Sequence, residues 1–171
     1  MIKIEGRARK FGDNVNTDYI ITSTRKRDTI DEQVLKQWLF ETVDPAFAAS
    51  VRENDIIVAG KNFGGGSAME VAVTVILAAG VRAVIAKSFA RTFYRNAINN
   101  GLIPVQCDTG SIEESDRLSV QLVGAELSVF DFTKELTLSG PPISGVILDI
   151  LEHGGLVPYM KEHRRLMPMK Q

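Results

Sequence analysis

The chain is poor in residues that hold metals. Its 171 residues include one cysteine, Cys107, and two histidines, His153 and His163. A lone cysteine makes no internal disulfide, and three scattered residues do not resemble a zinc site, which takes four close nitrogen or sulfur ligands. An iron–sulfur cluster held by this chain alone is not expected either, because clusters usually take three or four cysteines. Metal chemistry would have to come from another chain. Positive charge is not in excess: the formal net charge is -1. General nucleic-acid binding needs a concentrated positive face and is not expected, although a local anion site is allowed. Long apolar runs are missing too. The longest, Val71 to Ala79, is interrupted by Thr74 and is too short to span a bilayer. Met1 to Asn14 contains no apolar centre of a secretion signal. The expectation is a cytoplasmic protein with no membrane and no nucleic-acid partner.

What is present suffices for a core. Hydrophobic residues make up 44% and charged residues 24%, the balance of an ordinary globular protein. The length suits one domain over residues 1–171. The chain opens with a strand expected over Ile2 to Ala8, a polar turn at Gly12-Asp13-Asn14 and a short apolar stretch at Tyr19 to Ile21. Thr22 to Asp28 reads as an exposed basic loop. Asp31 to Phe40 has helical spacing, and Asp44-Pro45 opens another short helix, since proline is tolerated in a first turn. The middle alternates: strand Asp55–Ala59, helix Ala68–Ala79, strand Val81–Ala86, helix Phe89–Asn100, strand Leu102–Gln106. Such a run makes crossover units on a parallel sheet, giving an α/β fold. Pro104 places its strand at an edge or a strand end. Three short strands, Leu118–Val123, Glu126–Asp131 and Lys134–Leu138, suggest a small antiparallel addition. Ser144 to His153 reads as a final helix, and the polar end from residue 160 to 171 as a loose tail.

The turn Asn62-Phe63-Gly64-Gly65-Gly66-Ser67 joins a strand to a helix. Glycines there permit left-handed backbone and close approach of other groups. A helix mouth offers free N–H groups and the positive end of the helix dipole, which stabilise a carboxylate or alkoxide. Two readings stand side by side. Ser67-Ala68-Met69-Glu70 fits a capping box, with Ser67 as N-cap and Glu70 reaching back. Alternatively, the Ser67 hydroxyl faces a small anionic substrate. A phosphate loop fits poorly, because it would end in Gly-Lys-Ser/Thr. A dinucleotide fingerprint fits poorly too, because Met69 stands where its third glycine belongs.

The segment VAGKNFGGGSAMEVA, followed by VRAVIAKSFARTFYRNAINNGLIPV, resembles the small subunits of aconitase-like dehydratases, nearest to those of 3-isopropylmalate dehydratase and homoaconitase. GDNVNTDYII and ILDILEHGGLVPYMK match other parts of that pattern, so the resemblance spans nearly the whole chain. It implies a swivelling β/β/α domain with a central, partly parallel sheet and flanking helices. It implies a partner, a large catalytic subunit that carries a [4Fe–4S] cluster, while this chain binds no cofactor. The pair would dehydrate and rehydrate a small hydroxy carboxylate in amino-acid biosynthesis, leucine biosynthesis for the isopropylmalate enzymes. Self-association of the isolated chain stays open. The first serine after the glycine turn is the family's base, and here that residue is Ser67. A serine alkoxide needs the helix mouth and the glycine amides to stabilise it.

The family motif reads Gly-Cys-Gly-Ser-Ser-Arg-Glu, whereas this chain reads Gly64-Gly65-Gly66-Ser67-Ala68-Met69-Glu70. The second serine is Ala68, and the arginine that grips a substrate carboxylate is Met69. Methionine offers neither charge nor donor, and losing a charged hydrogen bond costs on the order of 1.5–3 kcal/mol. Either the substrate has changed, with Met69 lining a neutral pocket, or ordinary catalysis is lost on a retained fold. The basic segment is the family's substrate-choosing loop. Its Arg25, Lys26 and Arg27 could receive a carboxylate or form a solvated patch. Thr17 and Asp18 precede it, either as turn formers or as its support. The substrate-facing set implied is Arg25, Arg27, Gly65, Gly66, Ala68 and Met69 around the base Ser67. Ser88 reads as an N-cap, and Arg91 as half of an ion pair or a site cation. Three functions remain: a hydro-lyase small subunit acting on a 2-hydroxy dicarboxylate, a homoaconitase-like or alkylmalate variant of it, and a non-catalytic organic-acid-binding or assembly subunit.

Overall fold

The structure is a computed structural model that describes residues 1–143 and 145–166. In chain order its strands are β1 (Ile2–Lys10), β2 (Ile56–Ala59), β3 (Ala83–Ala86), β4 (Ile103–Gln106), β5 (Arg117–Val123), β6 (Glu126–Asp131) and β7 (Leu136–Ser139). Its helices are α1 (Thr17–Ile20), α2 (Ser23–Asp28), α3 (Glu32–Leu35), α4 (Phe47–Ser50), α5 (Val71–Ala78), α6 (Arg91–Asn100), α7 (Gly145–Glu152) and α8 (Leu156–Leu166). A 3-10 turn at Lys36–Trp38 extends α3.

All the strands form one mixed sheet in the order β4-β3-β2-β1-β5-β6-β7. The parallel half, β1 to β4, is the crossover run expected from the middle of the chain. Pro104 does lie on an edge strand, β4, where its missing N–H breaks no inner ladder. The three later strands continue the same sheet. β1 makes the join by pairing on both sides: Ile2 to Arg7 run antiparallel to β5, and Ala8 to Lys10 run parallel to β2.

β2 and β3 are buried along their whole length, as short strands covered on both faces must be. Alternation then divides the core. Ile57, Ala59, Val84 and Ala86 face α5 and the phenylalanines Phe40 and Phe47. Ile56, Val58, Ala83 and Ile85 face the layer that contains Ile150 and Leu151 of α7. α5, from which Ala72, Val73, Val75 and Ile76 are fully buried, is apolar almost all round because it sits inside the first layer.

Several elements differ from expectation. Thr22–Asp28, read as a loop, holds the short helix α2. α8 covers the first part of the expected loose tail; residues 167–171 lie outside the described residues, as does Ser144 at the expected start of the last helix. Among the described residues no helix is long and apolar enough to cross a membrane.

A polar cluster closes the amino end of β2. Asp55 is buried and accepts from Arg7 Nε and Nη2 at 3.2 and 2.7 Å, from Arg9 Nη1 at 3.5 Å and from the Arg52 N–H at 3.1 Å. Burial alone would push its pKa up. The Arg7 hydrogen bonds, the Arg52 amide and the charges of Arg7 and Arg9 outweigh that and hold the carboxyl below its ordinary value.

Candidate functional site

β1, β2, β3 and β4 run parallel, so the loops after them gather at one end of the sheet, the end where ligands bind in open α/β folds. The glycine turn follows β2 there, and the loops on either side clasp it. From the loop after β1, the Val15 carbonyl accepts from the Gly64 N–H at 2.8 Å, and the Thr17 N–H donates to the Gly65 carbonyl at 2.8 Å. Asp13 Oδ1 accepts from the Lys61 N–H at 2.7 Å. From the loop after β3, the Ser88 carbonyl and hydroxyl accept from the N–H groups of Phe63 at 3.0 Å and Asn62 at 2.9 Å. Ser88, expected as an N-cap, therefore holds the turn; Ala90 takes the N-cap position of α6, without a side-chain bond.

Beneath the turn, Phe63 is fully buried and stands edge-on to Phe93, with ring centroids 5.0 Å apart. A Cβ on Gly64 would lie 2.2 Å from the Phe93 ring. Gly66 has a φ of +92°, and a Cβ there would lie 2.5 Å from Asn16 Oδ1. That oxygen caps α1 by accepting from the Asp18 N–H at 2.9 Å, so glycine at 66 is required both by the backbone and by its neighbour.

The capping-box reading of Ser67 is corrected. α5 begins at Val71, three residues after the expected start, with Glu70 in the N-cap position and no side-chain cap. Thr17, itself buried, donates its hydroxyl to the Ser67 carbonyl at 3.1 Å. Glu70 Oε1 accepts from Asn100 Nδ2 at 3.2 Å instead of folding back. These long-range bonds hold residues 67–70 out of the helix. Ser67 and Ala68 are exposed and Met69 is half-buried. The Ser67 hydroxyl has no hydrogen-bond partner among the described residues, and the N–H groups from Gly65 to Glu70 donate to no protein acceptor among them. A run of free amides beside an exposed hydroxyl can stabilise an oxyanion there.

α2 is brought against this turn from the loop after β1. Asp18 Oδ1 accepts from the Ser23 hydroxyl at 2.8 Å, fastening the start of α2. Arg25 donates to both oxygens of Glu41, with its Nη2 bond at 2.9 Å, and lies over the Trp38 ring at 4.5 Å. That hydrogen-bonded contact raises the Arg25 pKa and lowers that of Glu41. Arg27 is exposed and has no ion pair among the described residues. The cation brought to the turn is Lys26, whose ammonium meets the Met69 sulfur. By sequence Lys26 is one of three adjacent cations able to receive a carboxylate, and the substrate-facing set implied there holds Arg25 and Arg27 without it. Adjacency could not single it out, because the contact spans 43 residues of chain.

A cavity of about 480 Å³ opens beside Lys26, walled by Ile30, Leu35 and Val71 and by the carboxylates of Glu32 and Glu70. Arg91 is exposed at the start of α6 and makes no ion pair among the described residues. The described residues do not fit an iron–sulfur cluster or another metal. Cys107 is buried, and burial, with Asp108 adding to it, pushes its thiol to about 11, so it stays protonated. Among the described residues no three His, Cys, Asp or Glu side chains group as metal ligands.

Comparison with known proteins places these features in context. The model of the aconitase C-terminal domain family matches residues 2–110. The methanogen homoaconitase small subunit of Methanocaldococcus jannaschii is 44% identical, over 98% of this chain and 96% of that protein. A 3-isopropylmalate dehydratase small subunit of Archaeoglobus fulgidus is 48% identical, over 95% of this chain and 97% of its own length. A crystal structure of a 3-isopropylmalate dehydratase from Methanocaldococcus jannaschii superposes with a TM-score of 0.90 at 44% identity, covering 96% of this chain and 97% of that one.

Proposed function

The chain belongs to the aconitase C-terminal domain family, and from that premise we propose that it is the small subunit of a two-chain hydro-lyase of the 3-isopropylmalate dehydratase kind. The enzyme removes water from a 2-hydroxy dicarboxylate and adds it back, moving the hydroxyl to the adjacent carbon. Relatives named as small subunits of 3-isopropylmalate dehydratase and homoaconitase, similar over nearly their full length, support this reading. In this proposal the [4Fe–4S] cluster implied by the family is carried by the large subunit, and the complex works in the cytoplasm.

The observation that carries the proposal is the exposed Ser67 hydroxyl beside the free amides of Gly65 to Glu70. Ser67 takes the proton from the substrate carbon, and the amides stabilise its alkoxide before the transfer. The clasp from Thr17 and Ser88 holds the backbone that carries that hydroxyl, so little backbone reorganisation accompanies the reaction. Gly65, Gly66 and Ala68 add no side-chain bulk beyond one methyl group and let the substrate come close to the backbone.

The test is Ser67→Ala in the complex reconstituted with its large subunit. Turnover of 3-isopropylmalate falls by about 10²–10⁴-fold, the range for loss of a general base, while co-elution of the two subunits is unchanged. Full activity in the variant would remove Ser67 from the base role.

A further inference from the structure

Three cations follow one another on α2, and the structure gives them three different surroundings. Arg25 is neutralised by Glu41. Arg27 is exposed. Lys26 is half-buried, touches the thioether of Met69 and has no carboxylate within ion-pair distance among the described residues. A thioether is only a weak acceptor and cannot balance an ammonium charge. A partly desolvated cation without a counter-charge is unfavourable unless an anion joins it. Glu32 and Glu70 line the same cavity, yet neither pairs with Lys26. Open space of about 480 Å³ adjoins the ammonium. The contact point, Met69, is two residues from Ser67.

We propose that Lys26 is the cation that binds a carboxylate of the substrate at this site, in place of any cation at position 69. Met69 meets the ammonium only through its weakly accepting sulfur, and the bound acid supplies the missing negative charge. Arg25 serves as the strut that holds α2, through Glu41 and Trp38, at the distance from which Lys26 reaches the turn. This inference rests on the reading of the chain as a hydro-lyase subunit. It adds that the charge has moved from the turn to α2, so Met69 does not make the site neutral.

The experiment uses the complex with its large subunit and 3-isopropylmalate, homoaconitate and alkylmalates as a panel. In Lys26→Met, KM for the preferred acid rises about 10- to 100-fold, the order expected for one charged hydrogen bond, and kcat changes less, as for an interaction made in ground and transition states alike. Lys26→Arg stays within a few-fold of the unmodified complex. Lys26→Met combined with Met69→Arg regains most of the lost affinity, because charge returns beside the same carboxylate. Co-elution and the unfolding temperature of each complex confirm assembly; Lys26 lies on a short surface helix without buried residues, so the variants fold. An unchanged KM in Lys26→Met overturns the inference. So does a Lys26→Arg as impaired as Lys26→Met, or a double variant no better than the single one. A complex inactive on the whole panel, or an active Ser67→Ala, overturns instead the reading of the site on which the inference rests.

Discussion

Replacing Gly66 with alanine adds one methyl group to the residue before Ser67, and the structure says where that group goes. It lies 2.5 Å from Asn16 Oδ1, well inside contact distance. The backbone at Gly66 has a φ of +92°, where an alanine costs about 1–2 kcal/mol. Asn16 must also give way, and with it goes its bond to the Asp18 N–H, the N-cap of α1. A lost cap of this kind costs about 1 kcal/mol. The sum is about 2–3 kcal/mol. Gly124 supplies the control: its φ is also positive, at +56°, but nothing lies within 4 Å of a Cβ there. Gly124→Ala therefore carries the backbone part alone, about 1 kcal/mol. For a chain of this size each kcal/mol moves Tm by about 2–4 °C. Urea and thermal unfolding of the purified chain should thus show Gly66→Ala losing at least twice the stability of Gly124→Ala. In the reconstituted complex, Gly66→Ala should also lower turnover by on the order of 10²-fold, as a misplacement of about 1 Å does, while Gly124→Ala leaves it unchanged. Equal stability losses in the two variants would refute the argument that Asn16 and Gly66 are fitted to each other.

Asp55→Asn leaves Arg7 and Arg9 without their shared carboxylate. Loss of one partner from a buried pair costs about 3–5 kcal/mol, with the lower end expected because Arg7 still reaches solvent, and Tm should fall by at least about 6 °C. Because the folded pKa of Asp55 lies below its ordinary 3.8, the carboxylate stabilises fully above that value and stops doing so as pH falls through the folded pKa. The stability gap between the native chain and Asp55→Asn should therefore narrow below about pH 4; a gap constant down to pH 2 would show that the carboxylate charge is not what stabilises. Cys107, buried and with its thiol pushed to about 11, should resist iodoacetamide at pH 8 in the folded chain and react once urea unfolds it. Rapid labelling of the folded chain, seen by mass spectrometry, would contradict that burial.

Much of the architecture was legible from local pattern. Contiguous apolar runs marked β2, β3 and β4 because strands buried on both faces have no polar side to show. Glycines at 80 and 101 marked the ends of the two central helices. Residues 64–67 were recognisable as a turn and a candidate site, since three glycines before a serine serve no packing purpose in a strand or helix. The errors have one cause. Ser67-Ala68-Met69-Glu70 is locally a good helix start, yet α5 begins at Val71 because Thr17, 50 residues away, binds the Ser67 carbonyl. Ser88 is locally a good cap, yet its oxygens go to Asn62 and Phe63.

The basic segment shows the same division. Composition at 25–27 said that three cations stand together and nothing more. Which of them is neutralised, which is exposed and which meets Met69 depends on Glu41, Trp38 and the register of α2 against the glycine turn. The amino-acid sequence by itself determined the parallel strand–helix core and the glycine–serine turn, because each is written in neighbouring residues. Only the tertiary structure decided that β1 joins the parallel and antiparallel halves into one sheet, that Ser67 stays outside its helix with no hydroxyl partner among the described residues, and that Lys26 is the cation that meets Met69. Each of those outcomes is set by contacts between residues far apart in the chain, whose geometry no local propensity contains.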